Sequence, residues 1–278
     1  MAVLRRMWRR CLAGPLILLL LTAAVSDAQG TAFAEAERRL SPARPEVEAG
    51  QFERPSGASW SEMQRRFKGA FVLSAPKPSR RQVALTFDDV PDSRYTPLIL
   101  NVLKQQNVKA TFFVVGSRAL KHPGLVRRIH AEGHAIGNHS FDHPDFSKLG
   151  IVGMKKQIRT TESALLRSVG FAPRLIRPPY GEIRMSQLNW AQSQGYTVVN
   201  WDVDSSDWRQ LSAKAICRNV TSTVRPGSII LLHAGGGSGQ NLHGTVKALP
   251  ELIQWLRVHR YEPVTLPELL HLPERKND

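Results

Sequence analysis

From Arg81 onward, short runs of apolar residues alternate with longer stretches in which apolar residues recur every three or four positions. The short runs predict β-strands, and the longer stretches predict amphipathic helices. The predicted strands are Val83–Phe87, Ala110–Val115, Ala135–Gly137, Leu175–Arg177, Thr197–Val199, Ser228–Leu232 and Tyr261–Val264. The predicted helices are Pro97–Gln106, Gly124–Glu132, Gly153–Ser168, Met185–Gln194, Ala213–Val224 and Thr245–Val258. Because several strands lack polar alternation, the pattern predicts an α/β fold in which helices cover a parallel sheet.

Two strand arrangements produce this alternation, a barrel of seven repeats and a doubly wound open sheet. Polar residues follow the carboxyl ends of five predicted strands, and these residues are Asp88, Asp89, His139, His143, Arg177, Asp204, Asp207 and His233. The carboxyl ends of barrel strands meet at one rim, whereas an open sheet spreads them along a line. The pattern therefore favours a distorted, TIM-like (β/α)7 barrel.

The first 28 residues differ from the rest of the chain. Four arginines between positions 5 and 10 precede an apolar run over residues 11–25, and small residues follow up to Ala28. This pattern is typical of a secretory signal peptide, with cleavage near Ala28. The apolar run is shorter than the roughly 20 residues of a membrane-spanning helix, so an uncleaved membrane anchor is the less favoured interpretation.

Residues 29–80 are rich in Ala, Glu, Arg, Pro and Ser, as in Ser41-Pro42-Ala43-Arg44-Pro45. This composition predicts a spacer with at most short helices. We therefore expect three regions along the chain: a signal peptide over residues 1–28, a spacer over 29–80 and a catalytic domain over 81–272.

The chain is strongly basic, with a formal net charge of +15 over 278 residues. Removal of residues 1–28, which carry four Arg and one Asp, leaves +12. Such a charge often indicates nucleic-acid binding, but an exported protein meets anionic envelope polymers and membrane surfaces instead. We expect a secreted or envelope-associated protein that is held near the anionic cell envelope by its charge, with no nucleic-acid partner.

Asp89, His139 and His143 carry ligand types that suit zinc or a similar divalent ion, because two imidazoles and one carboxylate leave a position open for water. The histidines are four positions apart, and on a helical turn this spacing places both rings on one face. The spacing alone is weak evidence, since pairs of surface histidines are at least as common. Its placement at the same predicted rim as Asp88 and Asp89 strengthens the metal interpretation.

The paired carboxylates of Asp88 and Asp89 are costly at a buried rim unless a cation relieves their repulsion. Neighbouring side chains diverge as they leave a strand, so one can bind the ion while the other faces water. We assign Asp89 to the metal and Asp88 to the general base. The alternative is a solvated loop that happens to carry two acids.

A bound divalent ion lowers the pKa of water toward neutrality, and Asp88 would take the proton as that water attacks a carbonyl carbon. Arg177 would keep Asp88 ionised and oriented. His233 would donate a proton to the leaving amine if Asp207 holds its ring and raises its pKa. A histidine at a strand end is more often a packed core residue, and the nearby Asp207 favours the catalytic interpretation.

Aromatic residues flank these polar groups. Trp208 and Tyr180 would wall a sugar site with their flat faces, or would pack against neighbouring residues, and both interpretations stay open. His243, in the loop after Gly235-Gly236-Gly237, is a second open candidate for a substrate contact. The glycine run itself lacks the Lys-Ser/Thr pair of a phosphate-binding loop.

Five short motifs resemble, in order, those of the polysaccharide deacetylases of carbohydrate esterase family four, the NodB homology domain. The motifs are Thr86-Phe87-Asp88-Asp89-Val90-Pro91, His139-Ser140-Phe141-Asp142-His143, Arg177-Pro178-Pro179-Tyr180, Asp204-Ser205-Ser206-Asp207-Trp208 and Leu231-Leu232-His233. The resemblance covers roughly Arg81 to Leu270, which is most of the chain. The five motifs together are highly specific.

The resemblance implies a distorted (β/α) barrel that removes N-acetyl groups from a polysaccharide containing N-acetylglucosamine and releases acetate. It implies a zinc or cobalt ion on Asp89, His139 and His143, with Asp88 as base and His233 as acid. The remaining implied roles are an ion pair of Arg177 with Asp88, support of His233 by Asp207, an oxyanion contact from the Tyr180 main-chain N–H, and an acetyl pocket lined by Trp208 and Leu231.

Two positions depart from the family pattern. Val90 stands where the family usually has Gly, which bears on the loop beside the metal ligand and on the room left for substrate. Ala234 follows His233 where Asp is frequent, which bears on the anchoring of that loop. Neither departure removes a predicted ligand or proton donor.

The identity of the polymer substrate, and whether the protein hydrolyses it, stay open at this point. Peptidoglycan suits an exported basic protein with a spacer, but chitin oligosaccharides need the same chemistry. One alternative is hydrolysis of O-acetyl esters on xylan. A second is a glycan-binding protein that keeps the deacetylase fold without turnover, which retention of every predicted catalytic group disfavours. We expect a monomer.

Overall fold

Every β-strand in the described part of the chain, residues 59–76 and 80–276 of a computed structural model, belongs to one parallel sheet. The predicted signal peptide and the remainder of residues 1–58 lie outside the described residues. The strands are β1 (Phe71–Val72), β2 (Gln82–Val90), β3 (Thr111–Val114), β4 (Ala135–Asn138), β5 (Leu175–Ile176), β6 (Thr197–Val199), β7 (Val203–Asp204), β8 (Ile229–His233) and β9 (Glu262–Val264).

Helices connect the strands and pack against the outer face of the sheet. They are α1 (Trp60–Arg66), α2 (Thr96–Gln105), α3 (Gly116–Lys121), α4 (Pro123–Ala131), α5 (Ile151–Val169), α6 (Met185–Ser193), α7 (Ala213–Thr221), α8 (His243–Val258) and α9 (Leu266–Leu270). Short 3₁₀ turns cover Phe146–Lys148, Pro179–Gly181 and Asp207–Arg209. None of the described helices is long and apolar enough to span a membrane.

The strand order is β1-β6-β5-β4-β3-β2-β8-β7, with β9 paired to the start of β2. All of these pairs are parallel. The order has two ends, so among the described residues the sheet curls into a half-barrel and does not close. This confirms the predicted α/β fold with a distorted barrel.

The alternation of side chains along β2 explains why the strand serves both core and site. Val83, Leu85 and Phe87 face the helices in the large hydrophobic core. Side chains of a strand point alternately to its two faces, so Thr86 and Asp88 face the concave side. All nine residues of the strand except Gln82 and Asp89 are buried, which makes β2 the rigid centre of the fold.

The N-terminal described residues also belong to this fold. Helix α1 begins at a Ser59 cap, and Phe67 and Phe71 are almost fully buried behind it. Strand β1 pairs with β6 in the register Phe71 to Val198. These elements fall within residues 29–80, whose composition predicts a spacer, and they complete one edge of the sheet. For residues 29–58 the spacer stays a prediction.

Candidate active site

The sheet register places the predicted base and the predicted acid side by side. Asp88 near the end of β2 is the direct neighbour of His233 at the end of β8. Two residues earlier along both strands, Thr86 is the neighbour of Leu231, which is 3% exposed. Residues paired in this way lie roughly 4.8 Å apart across parallel strands, so main-chain hydrogen bonds fix the separation of the two groups.

The metal-ligand candidates leave the sheet through irregular backbone. Asp89 has a φ of 65°, a left-handed conformation that non-Gly residues seldom adopt. His139 directly follows β4, and Ser140 and His143 have φ values of 67° and 66°. The prediction that His139 and His143 share a helical turn is therefore wrong, because both left-handed residues are incompatible with a helix.

Local hydrogen bonds shape this histidine loop instead. The Asn138 side-chain oxygen accepts from the Ser140 N–H over 3.0 Å, and the Ser140 hydroxyl accepts from the His143 N–H over 2.9 Å. Gln157 on α5 accepts from the main-chain N–H groups of Phe141 and Asp142. The loop brings the two imidazole rings together, with 4.9 Å between their centroids, although it is not a helical turn.

Asp89, His139 and His143 form a candidate metal cluster in which one ligand atom from each lies within 4.8 Å of the others. His143 Nε2 is 3.3 Å from Asp89 Oδ1, and His139 Nε2 is 3.8 Å from the same oxygen. That oxygen is buried and accepts no hydrogen bond within the described residues. A buried carboxylate oxygen facing two imidazole nitrogens fits a divalent cation.

The protonation of His139 also fits a ligand. Its Nδ1 lies 2.7 Å from the main-chain carbonyl of Arg177, which assigns the proton to Nδ1 and leaves the Nε2 lone pair facing Asp89. Burial, followed by the neighbouring His143, lowers the pKa of His139 to about 3. The ring is therefore neutral, as a metal ligand must be.

Arg177 is fully buried and holds Asp88 from one side. Its Nη1 donates to Asp88 Oδ1 over 2.8 Å and to the Thr86 hydroxyl over 2.8 Å. Its Nε donates to the Val199 carbonyl, and its Nη2 donates to the Asn200 carbonyl. Because Oδ1 of Asp88 is occupied, Oδ2 is the oxygen that faces the cluster, 3.7 Å from His139 Nε2.

His233 is oriented by Asp207 in the 3₁₀ turn Asp207–Arg209. Asp207 Oδ1 accepts from the His233 ring Nδ1 over 2.7 Å, and its Oδ2 accepts from the His233 main-chain N–H and the Thr245 hydroxyl, both over 2.8 Å. Burial lowers the pKa of His233, but the Asp207 carboxylate outweighs it, with smaller contributions from Asp89 and Asp88, and raises the pKa to about 9. The ring is protonated at neutral pH.

Two exposed aromatic residues stand at the rim. Tyr180 is 59% exposed, has a φ of 60°, and packs the edge of its ring on His143 at 4.8 Å between centroids. Trp208 is 41% exposed in the turn that carries Asp207. Exposed aromatic faces at the mouth of a cleft favour stacking on sugar rings over a role in the core.

The two departures from the family pattern both lie in the hydrophobic core. Val90 and Ala234 are each 0% exposed and belong to the cluster behind β2 and β8. The Val90 carbonyl accepts from the Val115 N–H, and the Ala234 carbonyl accepts from the Thr96 hydroxyl. The side chain of Val90 therefore does not crowd a substrate.

The structure brings together every residue predicted for the site, and it leaves His243 aside. His243 is the exposed first residue of α8, where its ring contacts Asn241 and Tyr95. Sequence patterns missed Thr86 and Thr245 as hydrogen-bonding partners, although Thr86 stands inside the first motif. Their roles depend on contacts between distant segments, which no local pattern records.

Parallel strands deliver all of these groups to one rim, an arrangement typical of barrel hydrolases that use a divalent metal. The family model for polysaccharide deacetylase matches residues 75–199. A peptidoglycan-N-acetylglucosamine deacetylase from Bacillus cereus is 44% identical over 218 residues, which cover 78% of this chain and 78% of that protein. The chain belongs to the polysaccharide deacetylase family and is a hydrolase, as the five motifs predict.

Two further matches support this assignment. The peptidoglycan-N-acetylglucosamine deacetylase PgdA of Listeria monocytogenes is 38% identical over 200 residues, which cover 71% of this chain but 41% of that longer protein. The crystal structure of the Bc1960 peptidoglycan N-acetylglucosamine deacetylase, in complex with 4-naphthalen-1-yl-N-oxidanyl-benzamide, matches with a TM-score of 0.74 and 44% identity. This match covers 78% of this chain and 100% of that one.

Proposed function

We propose that this chain hydrolyses the N-acetyl groups of N-acetylglucosamine in peptidoglycan and releases acetate. The observation that carries the proposal is the meeting of the Asp89, His139 and His143 cluster with the Asp88 and His233 pair at one rim of the sheet. Similarity to the Bacillus cereus and Listeria monocytogenes deacetylases favours peptidoglycan over chitin oligosaccharides.

Asp89, His139 and His143 would hold the metal, with zinc as the first choice and cobalt as the second. A donor set of one carboxylate and two neutral imidazoles suits zinc and leaves a position open. A cation bound there would polarise the acetyl carbonyl and lower the pKa of water.

Asp88 is the proposed general base. Arg177 donates to Oδ1, so Oδ2 is the oxygen that accepts a proton from the attacking water. Because the side chain is only 5% exposed, bulk solvent does not compete strongly for this oxygen.

His233 is the proposed general acid. Asp207 fixes the proton on Nδ1 and keeps the ring charged, so Nε2–H is the group that protonates the leaving amine. The register between β2 and β8 pairs His233 with Asp88, so the proposed acid lies beside the proposed base.

Tyr180, Trp208 and Leu231 are proposed to bind the acetyl group. The main-chain N–H of Tyr180 would donate to the oxyanion, an effective form of transition-state stabilisation. Leu231 on the concave face and Trp208 at the rim would enclose the methyl group, which limits the pocket to small acyl groups.

The site of action follows from the substrate. A protein that modifies the cell wall works outside the cytoplasm, which agrees with the predicted signal peptide over residues 1–28. The net charge of +12 on the remainder would hold the protein near anionic envelope polymers. We propose that it works there as a monomer.

Acetate release from peptidoglycan, chitin oligomers and acetylated xylan, before and after removal of metal by a chelator, tests the proposal. We expect metal-dependent release from peptidoglycan in excess over the other two polymers. Preferential release from xylan would favour the O-acetyl esterase alternative. Retained glycan binding without acetate release under any added metal would leave only the binding protein.

A further inference from the structure

Helix α3 contacts three of the loops that carry the candidate site: the turn of Asp89, the histidine loop and the loop after His233. The main-chain N–H groups of Gly116 and Ser117 donate to the carbonyls of Ser140 and Phe141 in the histidine loop, over 2.9 Å and 2.8 Å. From the same helix, the side chain of Arg118 extends to the other two loops. A helix of six residues therefore joins segments from β2, β4 and β8.

Arg118 bridges the metal-ligand turn to the loop that follows the acid. Its Nη1 donates to the main-chain carbonyl of Asp89 over 2.8 Å, and its Nη2 donates to the main-chain carbonyl of Gly236 over 3.1 Å. The loop that contains Gly236 begins three residues before it, at His233. One guanidinium thus fixes the backbone next to a metal ligand and next to the proton donor.

The Asp89 carbonyl lies directly against the backbone of the loop that follows His233. A β-carbon on Gly235 would lie 2.0 Å from this oxygen and 2.8 Å from Nη1 of Arg118, so the two loops touch directly. Asp89 is in a left-handed conformation, which the surrounding contacts must maintain. The direction of its carboxylate follows the direction of this constrained peptide.

Asp92 balances the charge of Arg118. Its carboxylate lies 3.9 Å from Nη1 of Arg118, pairs with Arg94 over 2.7 Å and accepts from the Gly236 N–H over 3.3 Å. The Arg118 side chain is 26% exposed, and the Asp92 side chain is 7% exposed. The hydrogen bond from the Gly236 N–H to Asp92 anchors the loop after His233. The methyl side chain of Ala234 in the same loop cannot form such a bond.

We propose that Arg118 is a positioning residue for the metal centre. Its guanidinium fixes the Asp89 peptide, and thereby the Asp89 carboxylate, relative to the loop of His233. The proposal rests on the proposed metal-dependent function. Outer-sphere partners of this kind typically change metal affinity by about 10–100-fold.

The test measures zinc affinity directly, by competition with a fluorescent chelator after the full chain has been stripped of metal. Arg118→Met removes both donors while keeping the aliphatic stem. Arg127→Met is the matched control, since Arg127 is exposed on α4 and makes no hydrogen bond or ion pair with any residue the structure describes. We expect Arg118→Met to bind zinc on the order of 10–100-fold more weakly, and Arg127→Met to match the wild type.

Arg118→Lys and cobalt absorption spectra complete the test. A lysine ammonium cannot reach both carbonyls at once, so we expect intermediate affinity and a cobalt spectrum that differs from that of the wild type. If Arg118→Met does not fold, the lysine variant alone decides. Wild-type zinc affinity and an unchanged cobalt spectrum in the folded variants would overturn the proposal. Because no readout depends on acetate release, a failure here is distinct from a failure of the proposed activity.

Discussion

Arg177 and Asp88 form an ion pair that solvent barely reaches, with 2.8 Å between Nη1 and Oδ1 and side chains that are 0% and 5% exposed. The main-chain carbonyl of the same arginine accepts from His139. A single buried residue thus orients both the proposed base and a proposed metal ligand. A substitution of Arg177 should therefore affect both the proposed base and the proposed metal-binding residues.

Replacement of Arg177 by Met should destabilise the protein by about 3–5 kcal/mol, because it leaves the Asp88 charge buried without a partner. Urea denaturation measures this loss. The double variant Arg177→Met, Asp88→Asn should lose less than the sum of the two single variants, since no uncompensated charge remains. Strict additivity would argue that the pair is not electrostatically coupled.

Asp88→Asn should retain the metal and lose turnover by roughly 10²–10⁴-fold, because it removes the proposed base while leaving the three ligands in place. His139→Ala should lose both metal and turnover. Metal content by mass spectrometry and acetate release separate the two effects. Equal metal loss in both variants would contradict the division of roles between Asp88 and Asp89.

The activity should fall on the alkaline side as His233 loses its proton. The folded-state pKa is raised to about 9, so the acid form persists through neutral pH and is lost as pH rises through that value. Part of the rise comes from Asp89 and Asp88, and a bound cation would offset that part, so the limb should lie no higher than about 9.

Asp207→Asn tests the origin of this limb. Loss of the carboxylate should return the pKa of His233 toward its ordinary value of about 6.5 or below, and the alkaline limb of the kcat/KM profile should move down with it. Thr245→Val is the control, because it removes one hydrogen bond to Asp207 and keeps the charge. A limb that stays fixed in Asp207→Asn would identify another group as the acid.

Position 235 should require glycine, because there is no room for a β-carbon there. Gly235→Ala would place a β-carbon 2.0 Å from the Asp89 carbonyl oxygen, so the turn that carries the metal ligand must shift. Gly237→Ala offers the comparison, since a β-carbon there has no atom within 4 Å. We expect loss of zinc affinity and activity in the first variant and wild-type values in the second. Similar behaviour of both variants would show that the loops tolerate separation.

His134 should make the protein sensitive to acid. Burial, then Lys109, lowers its pKa to about 4, and its Nδ1 accepts from the Ala110 N–H. Stability from this residue is fully present above the unfolded pKa of about 6.5 and is lost as pH falls toward 4, by at most about 3 kcal/mol.

The matched variant for this acid effect is His134→Asn, whose side-chain oxygen can accept from the Ala110 N–H but does not titrate. Urea midpoints at about pH 7.5 and about pH 5 should differ more in the wild type than in the variant. Equal differences would assign the acid sensitivity to other groups.

The sequence predicted the long elements well. Strand β2 reads as a strand because Val83–Phe87 is a short β-type run in which Thr86 is the one polar residue, and α5 reads as a helix because its apolar residues recur over 19 positions. Strands β1 and β7 have two residues each, too few for any periodicity, and neither was predicted. Helix α3 has six residues and is followed directly by another helix, so it is also too short for its periodicity to be recognised.

The candidate site was predictable to the extent that its groups stand at strand ends within short motifs. His139 and His143 were identified as ligands, although the predicted helical turn between them is a loop with two left-handed residues. Arg118 could not be identified, because its partners are main-chain carbonyls that lie 29 and 118 positions away. Contacts of a side chain with distant backbone leave no mark on local sequence.

Strand β1 has a consequence for how this enzyme can be shortened. Main-chain N–H groups of Val198 and Asn200 donate to the carbonyls of Ala70 and Val72, so this segment covers the edge of β6. The segment lies before position 75, where the family match begins. A chain that begins at position 75 would expose that edge, and an uncovered parallel strand recruits strands from other molecules. Aggregation of this shortened enzyme would therefore arise from the uncovered strand together with the lost packing of Phe67 and Phe71.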